Sequence, residues 1–150
     1  DSAALIGFKK LREESFADNL LKNAKAEVFI MDMSKDAKQV NDGNANSYIN
    51  LNGKGGFNKL TISLPAASKL NCIVLSEWLQ QGQFIDHFAI ELKTTDGIKT
   101  IDGTTIGKKR IITFPAVNIN TIELTIEEQS GSTGISEIEA YLIDEKLIEK

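Results

Sequence analysis

A side-chain period of two, repeated from Ala24 onward between clusters of turn residues, constrains this chain more than any other feature. Leu60, Ile62 and Leu64 alternate with Thr61 and Ser63, and the run ends at Pro65. Phe88, Ile90 and Leu92 alternate with His87, Ala89, Glu91 and Lys93, and Ile122, Leu124 and Ile126 with Thr121, Glu123, Thr125 and Glu127. Successive strand side chains point to opposite faces, so each run reads as a strand with one buried and one wetted face. Glu27 to Met31, Asn71 to Leu75, Arg110 to Phe114 and Ile135 to Ile143 read as further strands. Between them stand NDGNANS (Asn41 to Ser47), NGKGG (Asn52 to Gly56), TTDG (Thr94 to Gly97), DGTTIG (Asp102 to Gly107) and SGSTG (Ser130 to Gly134). Gly, Asn, Asp and Ser in such clusters make turns. Short strands, regular turns and no helical pattern between strands predict an all-β antiparallel sandwich, for which a jelly-roll connectivity is the expectation.

Only the N-terminal stretch departs from this. Phe8, Leu11, Phe16 and Leu20 recur at intervals of three to five among Lys, Arg and Glu, which predicts a helix over Leu5 to Lys22. The chain thus divides into a helical lead-in, 1–23, and a sandwich, 24–150. Beginning at Asp1 without a methionine or an apolar leader, it reads as a piece of a longer polypeptide.

Composition narrows the function classes. Seventeen basic against twenty-one acidic side chains give a net charge of −4, the wrong sign for a nucleic-acid binder. No apolar run approaches the roughly 18 residues of a membrane-spanning helix. The one cysteine, Cys72, cannot form an internal disulfide and reads as a small buried hydrophobe; the one histidine, His87, rules out His-pair metal motifs. GTTIGKK (Gly103 to Lys109) is a turn, because its glycine spacing is one short of a phosphate loop, Lys109 stands where Ser or Thr is required, and a strand follows. In NDGNANS, Asp42, Asn44 and Asn46 set oxygens at alternate positions beside the Ser47 hydroxyl. Such hard donors suit Ca²⁺, which takes about 6–8 oxygens, although an Asx-rich turn has the same composition. Trp78, with Tyr48, Phe84 and Tyr141, either fills core or offers a stacking face to a sugar ring. His87 projects from the polar face of its strand.

The stretches NCIVLSEWLQQGQFIDHFAIEL (Asn71 to Leu92), DGTTIGKKRIITFPAV (Asp102 to Val117) and ISEIEAYL (Ile135 to Leu142) carry a resemblance. In this order they resemble the C-terminal β-sandwich of the α-L-fucosidases of glycoside hydrolase family twenty-nine. The residues concerned are Val74, Leu75, Glu77, Gly82, Gln83, Phe88, Ile90, Glu91, Gly103 to Gly107, Lys109 to Ile111, Ser136, Glu137 and Tyr141. Leu11 to Lys25 is similar to the lead-in from that family's barrel. The resemblance implies a galactose-binding-like, discoidin-type (F5/8 type C) jelly roll, of the kind found in carbohydrate-binding modules. It implies no catalytic residue here, since the family's two carboxylates belong to the preceding barrel, and so a non-catalytic accessory domain. It implies, as partners, that barrel and a fucosylated or galactose-containing glycan met through Trp78, Phe84 and His87, with no nucleic acid and no membrane. The alternative is a purely structural domain packed on the barrel. It further implies a structural Ca²⁺ held by Asp42, Asn44, Ser47, Ser136 (through its carbonyl) and Glu137, and a periplasmic or secreted location. The family pattern also places the loops flanked by Glu77 and Arg110 near one end of the sandwich, which implies that the two pair as carboxylate and guanidinium. Tyr48 stands where relatives often carry Trp, and Phe84 where they carry Arg.

Overall fold

The computed structural model describes residues 2–30, 33–44, 46–51, 58–79, 82–131 and 133–148; the NGKGG turn lies outside them. Helix α1 covers Ser2–Ser15. The strands are β1 (Lys25–Ile30), β2 (Met33–Asp36), β3 (Ile49–Leu51), β4 (Asn58–Glu77), β5 (Ile85–Thr94), β6 (Gly97–Gly103), β7 (Arg110–Gln129) and β8 (Thr133–Tyr141). Every pairing among them is antiparallel. The result is the all-β sandwich that the alternation predicts.

Two long strands build both layers. The first half of β4 lies between β1 and the second half of β7, in the order β2-β1-β4-β7-β5-β6. Its second half, Cys72 to Glu77, lies between the start of β7 and β8, which in turn pairs with β3. Pro65 was expected to end a strand; instead β4 runs through it. The β4–β7 ladder skips from Ser63 to Ser68 and again from Leu70 to Cys72, and these gaps hold Pro65 on β4 and Pro115 on β7. A proline has no N–H to give to a ladder, so it is accommodated where the ladder is already broken. The breaks carry both strands from one layer to the other.

The interior follows the alternation. Leu60, Ile62, Ile73, Leu75, Phe88, Ile90, Leu92, Ile122, Leu124 and Ile138 are buried in one core. A smaller cluster covers the outer face of β4 and β8, where Cys72, Val74, Tyr141 and Ile143 meet Phe16, Leu147 and Ile148. Phe16 packs edge-on against Tyr141 with ring centroids 5.0 Å apart. Asn71 fastens the C-terminal segment by donating to the Ile143 carbonyl and accepting from its N–H, at 3.0 and 2.8 Å.

The helix is shorter than its apolar spacing suggests. It stops at Ser15, and residues beyond it turn onto the sandwich. The Asn19 side chain accepts from the N–H groups of Leu21 and Ala140, both at 3.1 Å, which fixes that turn against β8. Leu21 is fully buried in the sandwich core although it precedes the expected boundary at 24.

Candidate functional site

Two of the three stretches that carry the family resemblance meet at one buried side chain. Glu77, at the end of β4, is 3% exposed. Its carboxylate accepts from Phe84 N (2.7 Å), Ile85 N (3.2 Å), Gly107 N (3.2 Å) and the Thr133 hydroxyl (2.9 Å). Gly107 has φ of +72°, a conformation that favours glycine, and its carbonyl accepts from Glu77 N at 2.9 Å. The last glycine of GTTIG and the residues after the Gly82–Gln83 pair are therefore held by this one carboxylate. The expected Glu77–Arg110 pair is not formed. Arg110 donates instead to the Thr105 carbonyl at 3.3 Å, because the carboxylate is taken up by donors that backbone folding brings to it.

The oxygens of the NDGNANS loop meet β8 in a cleft on the outer face. Asn41, Asp42, Glu137 and Glu139 line it, with Lys22 and Lys109 among its other walls. The carboxyl groups of Asp42 and Glu137 lie within hydrogen-bonding reach, and the Ser47 hydroxyl reaches Asp42. Asp42 Oδ1 accepts from Asn44 N at 2.8 Å; this bond, foremost, holds its carboxyl below the usual range. Burial, then the charges of Asp42 and Glu139, push Glu137 up to about 8.

Two buried oxygens in this cleft have no donor among the described residues: Glu137 Oε1 and Asn41 Oδ1. Asn41 spends its amide on the carbonyls of Leu21 and Ala24, at 2.7 and 3.0 Å, which leaves its oxygen unanswered. Buried oxygens without donors, beside crowded carboxylates, are the environment that a hard cation relieves. Of the five expected calcium ligands, Asp42, Ser47 and Glu137 come together. Asn44 is exposed, and its Oδ1 accepts from Asn46 N at 2.9 Å within the loop. Ser136 is the extra residue of a bulge opposite Ser76 and Glu77, and its hydroxyl donates to the Ser76 carbonyl at 3.2 Å. Asn41 was missed by sequence reasoning; its one signal was its place immediately before Asp42.

The expected sugar contacts have separate surroundings. Trp78, half-buried, is stacked on Tyr48 with ring centroids 3.9 Å apart and planes 7° from parallel. The backbone N–H of Trp78 donates to the Gly134 carbonyl at 2.9 Å. Phe84 lies over Gly131, where a Cβ would come within 2.9 Å of its ring. His87 Nδ1 meets Glu127 Oε1 at 2.8 Å on the outer face of β5 and β7. Tyr141, the other aromatic considered, is in the smaller cluster and donates to Glu139.

No family model matches the chain. A protein of Oryza sativa subsp. japonica assigned as alpha-L-fucosidase 1 is 34% identical over 70 residues, 46% of this chain and 14% of its own length. Among solved structures, a Ruminococcus gnavus GH29 fucosidase in complex with fucose matches with a TM-score of 0.76 and 23% identity, over 95% of this chain and 30% of its own. A Bacteroides ovatus protein assigned as an alpha-L-fucosidase matches with a TM-score of 0.68 and 30% identity, over 96% of this chain and 21% of its own. Chitosan-binding module 1 of a Paenibacillus chitosanase/glucanase shares the fold at a TM-score of 0.66 and 16% identity, over 82% of this chain and 97% of the module. The chain thus spans under a third of the fucosidases it is similar to, and corresponds to a single domain of them.

Proposed function

We propose that the chain is the non-catalytic C-terminal accessory domain of an α-L-fucosidase of family twenty-nine, with a galactose-binding-like fold and a partner in the catalytic barrel of the same polypeptide. The observation that carries this reading is the match of nearly the whole chain to under a third of solved fucosidases. The side chains agree with it. Asp42 and Glu137 are within hydrogen-bonding reach, whereas the two carboxylates of a retaining glycosidase stand about 5–5.5 Å apart and those of an inverting one further. Exposed Ile6, Phe8 and Ile111 give the lead-in helix and the start of β7 apolar surface suited to a neighbouring domain. The reading is tested by the residues encoded immediately before Asp1: a barrel sequence supports it, and a start codon or an unrelated domain overturns it. The periplasmic or secreted location belongs to the same reading.

A structural calcium ion is part of this proposal. Asp42, Ser47 and Glu137, with Asn41 Oδ1, supply the donor set, and Asn44 and Ser136 are its further expected members. The ion would supply charge neutralisation and a cross-link between the loop before β3 and β8, with no chemistry of its own. Binding to the folded state alone stabilises it by RT ln(1 + [L]/Kd), about 2.7 kcal/mol at a hundredfold excess over Kd. Melting curves in calcium and in chelator test this. The wild type gains stability in calcium and Asp42→Ala and Glu137→Ala do not; equal wild-type melting in both conditions refutes the ion.

A second reading, glycan binding, rests on the Trp78–Tyr48 stack, which holds the Trp78 ring in one orientation and leaves at most one of its faces to a sugar. A single open ring face encloses little ligand, so affinity for a fucosyl or galactosyl oligosaccharide is expected to be millimolar or absent. Calorimetry showing tight binding that Trp78→Ala weakens would make this a true binding module.

A further inference from the structure

We propose a second cation site, on the opposite layer from the acidic cleft and independent of the fucosidase reading: His87, Asp102 and Glu127 form a three-ligand surface site for a divalent transition metal of the zinc type. The ligand atoms of these three side chains all lie within 4.8 Å of one another. They come from three adjacent strands, β5, β6 and β7, with β5 in the middle.

The sheet's register makes this grouping. On one side, Ala89 faces Asp102, and Ala89 shares a strand face with His87 two residues away. Alanine leaves the space across which the Asp102 carboxylate reaches diagonally toward the ring. On the other side the β5–β7 ladder is irregular: His87 faces Glu128 while Phe88 already faces Ile126. Glu127 is therefore the extra residue of a bulge, and the bulge aims its carboxylate at His87 Nδ1, 2.8 Å away.

A simple His–Glu pair would need only two of these groups. The third adds a negative charge beside Glu127, yet among the described residues no lysine or arginine forms an ion pair with either carboxylate. On the same face Glu123 has both Lys59 and Lys93, while Glu91 opposite it forms no ion pair among the described residues. One imidazole and two carboxylates suit zinc better than calcium or magnesium, which prefer all-oxygen sets. Zinc bonds of about 2.0–2.2 Å set tetrahedral ligand atoms about 3.4 Å apart, so the His87–Glu127 contact at 2.8 Å would open slightly to admit the ion. Three protein ligands leave a coordination position for water or for a donor from a neighbouring molecule.

His87 is the chain's one histidine, which makes the test specific. Zinc chloride is titrated into the untagged protein in excess calcium, so that the Asp42–Glu137 cleft is not the zinc site. Ring NMR signals of His87 and calorimetry are read together. The expected result is a one-site isotherm with a matching shift of the His87 ring signals. An Asp102→Asn, Glu127→Gln double variant, its fold checked by amide spectra, should bind zinc more than about tenfold more weakly, the lower end of what even an outer-shell loss costs. Ring signals unmoved by excess zinc overturn the proposal. So does a double variant that binds as tightly as the wild type, since imidazole alone would then be the ligand.

Discussion

Glu77 collects donors from the segment before β5, the loop before β7 and the start of β8, and no cation is paired with it among the described residues. Removing it strands two buried backbone N–H groups and one part-buried one, so Glu77→Ala should cost on the order of 3 kcal/mol in urea unfolding. Glu77→Gln sets an amide against N–H donors and should cost about 1–3 kcal/mol. The opposite charges of Glu77 and Arg110 were visible in the sequence, but the competing backbone donors exist only once the loops are folded. Cys72 was legible as a buried hydrophobe. Burial, with the Glu139 charge, pushes its thiol up to about 11, so thiol reagents should fail on the folded chain near neutral pH and react once it is denatured. Glu137 gives a pH dependence. Its folded value, about 8, lies above the ordinary 4.5, so the stability it contributes is complete below about 4.5 and is lost as pH rises through about 8. In chelator, melting temperature should fall across that window. In calcium the carboxylate is neutralised, so the gain from calcium should be larger at the alkaline end.

At the scale of elements, the period of two located the strand faces correctly, because burial of one face is what the period encodes. It did not give strand ends. Pro65 was read as the end of its strand, but a broken stretch of ladder needs no donor there. Nor could spacing separate a helix ending at Ser15 from one reaching Lys22, because Leu20 and Leu21 are apolar for the sake of the sandwich core. The grouping of His87, Asp102 and Glu127 was out of reach of the sequence, since it depends on a bulge in one ladder and the register of another. Gly134 shows an element held by close approach. A Cβ there would come within 2.5 Å of the Ile49 carbonyl oxygen and 2.9 Å of the Tyr48 ring, so Gly134→Ala should disturb the β3–β8 pairing and cost about 1–3 kcal/mol. Thermal melting checks the size, and faster amide exchange at Ile49 and Leu51 checks the place.

The whole molecule is a sandwich tied at one end by Glu77, with an acidic cleft at its outer face and apolar surface on its lead-in helix. The fold was legible because alternation is a local pattern; the meeting of the Asx-rich loop with β8 joins distant parts of the chain and came only from the family resemblance. The partners were not legible, because docking surfaces depend on what the rest of the polypeptide presents. The central claim is that this domain serves a fucosidase without performing its chemistry. The direct test is hydrolysis of nitrophenyl α-L-fucoside, measured with the isolated chain and with the full polypeptide that encodes it. The account predicts turnover by the full polypeptide and none above a buffer blank by the chain. Turnover by the chain alone, abolished by Asp42→Asn or Glu137→Gln, would contradict it.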